Sequence, residues 1–201
     1  MGRSDDQAAI SPAEVRHRVA NVFQLMATLG RLRVQRAENP ETRRQLAWLL
    51  DATAALGVLQ QRLLRPGGDD FAGFLQDMAP LWARRVENRP VSIKLEAEPV
   101  AVSEQVAAAL AVIAQELVTN ALAHAFPDGR VGVVRIELKR LEAGRAALSV
   151  ADNGVGYAPS AADDRRRLGL WLIGGLTDQV RGTLTTTVEG GVVVRLEFPQ
   201  A

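Results

Sequence analysis

Cysteine is absent from the 201-residue chain. That excludes disulfides and thiolate-held zinc, and it fits a cytoplasmic protein. No excess of charge of one sign is present either, since 24 basic and 23 acidic residues leave a net charge of +1. A field of one sign that would draw the chain to nucleic acid or to an anionic membrane is therefore missing. No uninterrupted apolar run approaches the roughly 20 residues that span a bilayer. The stretch Met1 to Ile10 is polar and lacks the apolar centre of a signal peptide. No region reads as a sensor, so any sensing is expected to come from a partner such as a separate sensor protein, from another chain, or from a part that the gene lacks. What the chain does have is 47% apolar and 23% charged residues, enough to build a globular core in one large domain or two small ones.

The order of patterns predicts two parts of different rhythm. Residues 1–10 are expected to be a disordered tail. Ser11-Pro12-Ala13-Glu14 then has the form of a helix start: a capping serine, proline at the first helical position and a glutamate that completes a capping box. Val15, Val19, Val22, Met26 and Leu29 follow at steps of four and three, a heptad-like stripe on one helix face. The helix should stop before Asn39-Pro40, because the residue before proline avoids the α region. A second helix places Leu46, Leu49, Leu56 and Leu63 on its buried side and is broken at Arg65-Pro66-Gly67-Gly68. The αα-hairpin over 11–66 leaves apolar stripes uncovered, and pairing two copies into a four-helix bundle would cover them, so a homodimer is expected.

From residue 70 onward helices and strands mix. Phe71 to Glu87 reads as a helix, Val91 to Leu95 alternates as a strand, and Val102 to Ala125 is a long alanine-rich helix closed by Pro127-Asp128-Gly129. Strands are expected over Val133 to Leu141 and Ala146 to Ala151, turning at Glu142-Ala143-Gly144. A polar arginine-rich loop and a helix from about Leu168 to Val180 come next. A final hairpin joins Thr183–Val188 to Val192–Phe198 across Glu189-Gly190-Gly191. The fold class is therefore α+β: a helical hairpin followed by a two-layer α/β sandwich.

Four groups of residues could carry chemistry. His17 lies two residues from Val15 and two from Val19, which at about 100° per residue points it away from the apolar stripe. Arg16 and Arg18 beside it favour the neutral imidazole, whose lone pair can act as a nucleophile; an ordinary surface histidine has the same pattern. Glu116, Asn120 and His124 fall four apart on one face of the long helix. Asn120 can offer a carbonyl oxygen to Mg²⁺ and Glu116 can orient a water or accept a proton, or the three can form a polar face with His124 favourable to the helix C-terminus. Asp152, at the end of an apolar strand, is followed by Asn153-Gly154-Val155-Gly156. Its carboxylate can accept from an exocyclic amine and the glycines permit close approach of a ligand, although Asn-Gly is also a common turn pair. Arg165-Arg166-Arg167-Leu168-Gly169 opens a helix whose N-terminus suits phosphate oxygens, or it is a solvated basic loop. No Walker-type loop, metal-ligand cluster or serine-hydrolase elbow is present.

Taken in order, these segments resemble the histidine kinases, whose catalytic domain is a GHKL-type ATPase of the Bergerat fold. Arg16-His17-Arg18-Val19-Ala20-Asn21 looks like the subfamily whose acceptor helix reads His-Arg-Val-x-Asn. Glu116 to Gly129, ELVTNALAHAFPDG, is similar to its N box, Val150 to Gly156, VADNGVG, to its G1 box, and Leu168 to Ile173, LGLWLI, to its G2 region. The resemblance runs from about Val15 to Phe198. It implies a dimerisation and histidine phosphotransfer domain over 11–66 and an ATP-binding catalytic domain over 70–201. It also implies that His17 accepts the γ-phosphoryl group, that Asn120 binds Mg²⁺ with Glu116 beside the triphosphate, and that Asp152 reads adenine in a pocket shaped by Gly154 and Gly156. Further ATP contacts are implied for His124, Arg167, Leu168 and Gly169, with Tyr157 to Arg167 as a lid. ATP and Mg²⁺ are the implied cofactors, and the receiver domain of a response regulator, through an aspartate, is the implied partner.

The chain departs from that pattern at three places. Ala123 stands where the family often has a phosphate-holding lysine, Arg167 precedes Leu168 where paired glycines are common, and Arg18 follows the acceptor histidine where many relatives carry an acid. Two other readings stand beside this one, the first supported by the missing sensor, Ala123 and the thin G2 region. One is a phosphorelay histidine phosphotransfer protein with a degenerate nucleotide site that does not use ATP. The other is a partner-binding module on the same ATPase fold, such as an anti-sigma kinase, against which the His17 hairpin argues.

Overall fold

The computed structural model describes residues 12–65, 67–156 and 164–200, with the side chains of residues 12, 13, 15–17, 20, 24, 128 and 164–171 outside the description. The chain parts into two compact units between Gly57 and Val58. The first holds α1 (Pro12–Arg36) and most of α2 (Pro40–Leu63). Asn39 starts α2 by accepting hydrogen bonds on Oδ1 from the backbone N–H groups of Glu41 (2.7 Å) and Thr42 (3.3 Å), with Pro40 at the first helical position. Ser11 of the expected capping box lies outside the described residues.

The hairpin differs from the expectation in which side of α2 is covered. Leu49 is 54% exposed, whereas Ala52 and Ala55 are buried. Small residues set this arrangement. A Cβ on Gly30 of α1 would fall 2.2 Å from Leu50 Cδ2, and one on Gly57 would touch Phe23, so the helices of the hairpin meet where side chains are short. On α1, Val19, Val22, Leu25, Met26, Leu29 and Leu32 are all exposed.

The second unit begins with the last turns of α2 and continues through α3 (Phe71–Arg84), β1 (Val91–Ala97), α4 (Glu104–His124), a 3₁₀ turn at Pro127–Gly129, β2 (Gly132–Leu141), β3 (Arg145–Asp152), α5 (Asp164–Gln179), β4 (Thr183–Thr187) and β5 (Val193–Pro199). The sheet order is β1-β2-β3-β5-β4, with β1 and β2 parallel across the α4 connection and the other pairs antiparallel. Alternation along β2 buries Val134, Ile136 and Leu138 and leaves Arg135 and Lys139 exposed, so one face of the sheet is apolar and the other carries charge. On the charged face Glu96, Arg135, Glu137 and Lys139 form a ladder of surface ion pairs.

Phe71, Phe74, Leu75, Met78 and Trp82 of α3 share its buried stripe, and Asp70 caps the helix by accepting from Ala72 N (3.1 Å) while also holding Val100 N (2.9 Å). By length and composition α4 passes as a membrane span, contrary to the expectation that no apolar stretch does, but 67% of that window is buried inside this unit. It is the core helix, packed on β2 and β3. Its rotational setting is fixed by a buried relay: Trp82 Nε1 donates to Gln115 Oε1 (2.8 Å), and Gln115 Nε2 donates to Thr119 Oγ1 (2.9 Å). Both amide groups of a buried glutamine are thereby satisfied, as burial requires.

Candidate functional site

Side chains on a strand alternate between faces, so Asp152 falls on the helix-facing side of the sheet with Val150 and Leu148. Register then selects its neighbours. Val150 pairs with Val194 and Val194 with Thr186, which forms one inward row. One step further along, Asp152 N donates to Val192 O at 2.9 Å. The carboxylate is held by backbone: its Oδ1 accepts from Gly154 N (2.9 Å) and Val192 N (3.3 Å). Among the described residues Oδ2 has no hydrogen-bond donor.

Two glycines make this geometry possible. A Cβ on Gly191, whose φ is 145°, would lie 1.9 Å from Asp152 O, so only glycine lets the start of β5 come this near the end of β3. A Cβ on Gly154 would lie 2.2 Å from Ala125 O, and Val155 N donates to that same oxygen at 2.9 Å. The turn after Asp152 therefore sits directly on the end of α4. Gly156 has a φ of 76°, the left-handed region that glycine occupies without strain.

On α4, Asn120 Nδ2 donates to Glu116 Oε1 at 3.0 Å, as side chains four apart on one helix face can. Glu116 is buried and Asn120 half-buried. One N–H of the amide is taken by Glu116, which leaves the acceptor Oδ1 and the second N–H of Asn120 to meet a ligand. Asn120, His124, Asp152 and Gly156 all line one cavity of about 280 Å³, near the lower end of small-molecule pockets. Its walls are mostly apolar: Leu117 and Ala121 come from α4 and Ala125 from its C-cap, Val150 from β3, Ile173 from α5, Leu184 with the hydroxyl-bearing Thr186 from β4, and Val192 and Val194 from β5 with its lead-in. A planar apolar-faced group with an amine at its edge matches that lining: dispersion on both faces and one acceptor at the end.

The remaining expected site residues fall as follows. Glu116 adjoins the cavity through its bond to Asn120, and Gly154 packs against Ala125, which lines it. Arg167, Leu168 and Gly169 lie on α5, which begins at Asp164 and not near Leu168. Gly169 is thus inside the helix rather than at its opening. No glycine or proline between Asp164 and Leu168 stops the helix from extending back through the arginines. Tyr157 of the expected lid lies outside the described residues, as do 158–163 and the side chains of 164–167. His17 is on α1 in the other unit, and its side chain is likewise outside the description. Sequence reasoning named Ile173 only as the end of the LGLWLI segment and did not single out Leu184, Thr186, Val192 or Val194, although Val192 and Val194 share parity on a strand that follows a glycine pair.

Among the described residues no three of His, Cys, Asp and Glu are grouped to hold a metal ion. Mg²⁺ does not need such a group, because it takes one or two protein oxygens with phosphates and waters. Asn120 Oδ1, backed by Glu116, suits that role.

The histidine kinase-like ATPase domain family matches residues 85–198 of the chain. The chain belongs to that family. The chain is 26% identical over 203 residues to blue-light-activated histidine kinase 2 of Erythrobacter litoralis; the match covers 93% of the chain but 56% of the relative, so the chain spans little more than half of that protein. The solved histidine kinase domain of a blue-light-activated histidine kinase from Erythrobacter litoralis superposes with a TM-score of 0.70 at 20% identity, covering 90% of this chain and 94% of that one. Full-length ShkA in complex with AMPPNP superposes with a TM-score of 0.57 at 20% identity, covering 94% of this chain and 45% of that one. The α+β architecture and the resemblance to a sensor histidine kinase core both stand on these matches.

Proposed function

We propose that the chain is the catalytic core of a histidine kinase that binds Mg-ATP in the cavity of the second unit and phosphorylates His17. The observation that carries this reading is the convergence of Asp152 and Asn120 on one apolar cavity, an amine acceptor and a hard-cation oxygen brought together from a strand end and a helix. Asp152 accepts the exocyclic amine of adenine, and the apolar walls take the faces of the base. Asn120 would offer Oδ1 to the metal, with Glu116 holding the amide through its hydrogen bond. Bound Mg²⁺ would neutralise phosphate charge. Positioning and electrostatics are the main demands of phosphoryl transfer. The imidazole lone pair of His17 forms the N–P bond as the bond from the γ-phosphorus to the bridging oxygen breaks, and ADP leaves.

An aspartate in the receiver domain of a response regulator is the onward acceptor in this reading. The exposed apolar residues of α1, from Val19 to Leu32, support a homodimer in which two hairpins cover each other's stripes. Incubation of the purified chain with γ-labelled ATP and Mg²⁺ tests the proposal. Acid-labile label on the wild-type chain, absent from His17→Ala, is expected. Label that persists in His17→Ala would remove that residue from the role, and a chain that takes label only from a phosphorylated receiver domain would favour the ATP-independent phosphotransfer reading.

A further inference from the structure

Arg89 lies in the connection between α3 and β1, outside the N-box, G1 and G2 segments. Its guanidinium donates through Nη1 to Leu122 O at 2.7 Å and through Nη2 to Phe126 O at 2.9 Å. Those carbonyls straddle the end of α4. A helix leaves its last carbonyls without intrahelical donors, and a cation there also meets the negative end of the helix dipole. The fork of two donors spans the last turn and the residue beyond the cap, which a single-point cation such as lysine does not do.

The same stretch of chain is gripped from a second direction. Val155 N donates to Ala125 O, and Gly154 packs against Ala125. Gly132, at the start of β2, lies against the Phe126 ring, where a Cβ would come within 2.1 Å. The end of α4 is therefore set between Arg89 on one side and the turn after Asp152 on the other. Asn120 and His124 on α4 and Asp152 on β3 line the cavity across that junction. Asp152 is fixed to the sheet by backbone N–H groups, whereas the height of Asn120 relative to it depends on where α4 ends.

We infer that Arg89 is a positioning residue that sets the spacing between Asn120 and Asp152, and so determines whether one nucleotide can engage both at once. The inference rests on the nucleotide reading above. When α4 shifts, a ligand held at the base end alone keeps Asp152 and the walls from β3, β4 and β5 and loses part of the α4 wall, whereas a ligand that reaches both ends loses Asn120 as well. Loss of Arg89 therefore removes the gain in affinity that Mg²⁺ gives to ATP, more than it removes metal-free binding.

Calorimetric titration of ATP with Mg²⁺ and with a chelator, on the full chain and on Arg89→Met and Arg89→Lys, tests it. The methionine keeps the stem and removes the fork, and the lysine keeps the charge. The expected result is a Mg²⁺-dependent gain reduced about tenfold in Arg89→Met, roughly the value of one charge-assisted contact at Asn120, with a smaller loss of metal-free affinity. Arg89→Lys recovers part of the gain. A gain in Arg89→Met equal to wild type, or equal losses with and without metal, would overturn the inference and leave Arg89 as a holder of the fold. A wild-type chain that bound no ATP under either condition would instead overturn the nucleotide reading, and this inference with it.

Discussion

Asp152→Asn isolates the part of the site that reads the base. Asn is the same shape and keeps an oxygen where Oδ1 accepts from Gly154 N and Val192 N. The turn after β3 should therefore persist, with a stability loss of no more than about 1 kcal/mol. The other oxygen becomes an NH₂ donor. Against the exocyclic amine of adenine, an acceptor is replaced by a donor, and the charge that strengthened the bond is gone. A charge-assisted hydrogen bond contributes about 1.5–3 kcal/mol, so ATP affinity should fall about 10- to 150-fold. Inosine triphosphate, with a carbonyl in place of the amine, meets the opposite change, because the new donor suits it. Titration of both nucleotides into both proteins, with thermal unfolding as the control on folding, gives the ratio of affinities. The reasoning predicts that the preference for ATP over inosine triphosphate shrinks or reverses in Asp152→Asn. An unchanged ratio would refute the assignment of Asp152 to the base, whatever happened to absolute affinity.

Gly154→Ala should be costly for a steric reason, since the added carbon would lie 2.2 Å from Ala125 O; about 1–3 kcal/mol of overpacking, or roughly 2–12 °C in melting temperature, should appear together with weakened nucleotide binding, and an unshifted melt would contradict the close contact. Glutamates at Val22 and Leu29, both 54% exposed, should turn a sedimenting dimer into a monomer while calorimetry shows ATP affinity unchanged. A double variant that stays dimeric would place the interface elsewhere.

The fold was legible where local rules dominate. The alternation of Val91 to Leu95 marks β1, Ala143 and Gly144 turn with positive φ between β2 and β3, and Asn39-Pro40 separates the two hairpin helices. It was less legible where contacts are non-local. Leucine spacing placed Leu49 on the covered side of α2, yet close approach at Gly30 and Gly57 put Ala52 and Ala55 there instead. Hydropathy alone cannot separate α4 from a membrane span; only the sheet beneath it does. The α5 boundary was misplaced because arginines tolerate a helix as well as a loop.

The candidate site divides in the same way. Glu116, Asn120 and His124 follow from helix periodicity, and Asp152 with its glycines follows from a strand running into a turn. The apolar wall does not, because Leu184, Thr186 and Ile173 reach Asp152 only through the strand order β3-β5-β4 and the packing of α5, which pair residues far apart in sequence. Arg89 is least visible of all. Its partners are backbone carbonyls, which leave no mark in the sequence.

The most direct test of the central claim is calorimetry of ATP binding to the purified chain, with Mg²⁺ and with a chelator. Saturable binding that tightens with Mg²⁺ and loses that tightening in Asn120→Ala is the predicted result. No heat of binding at millimolar ATP would contradict it.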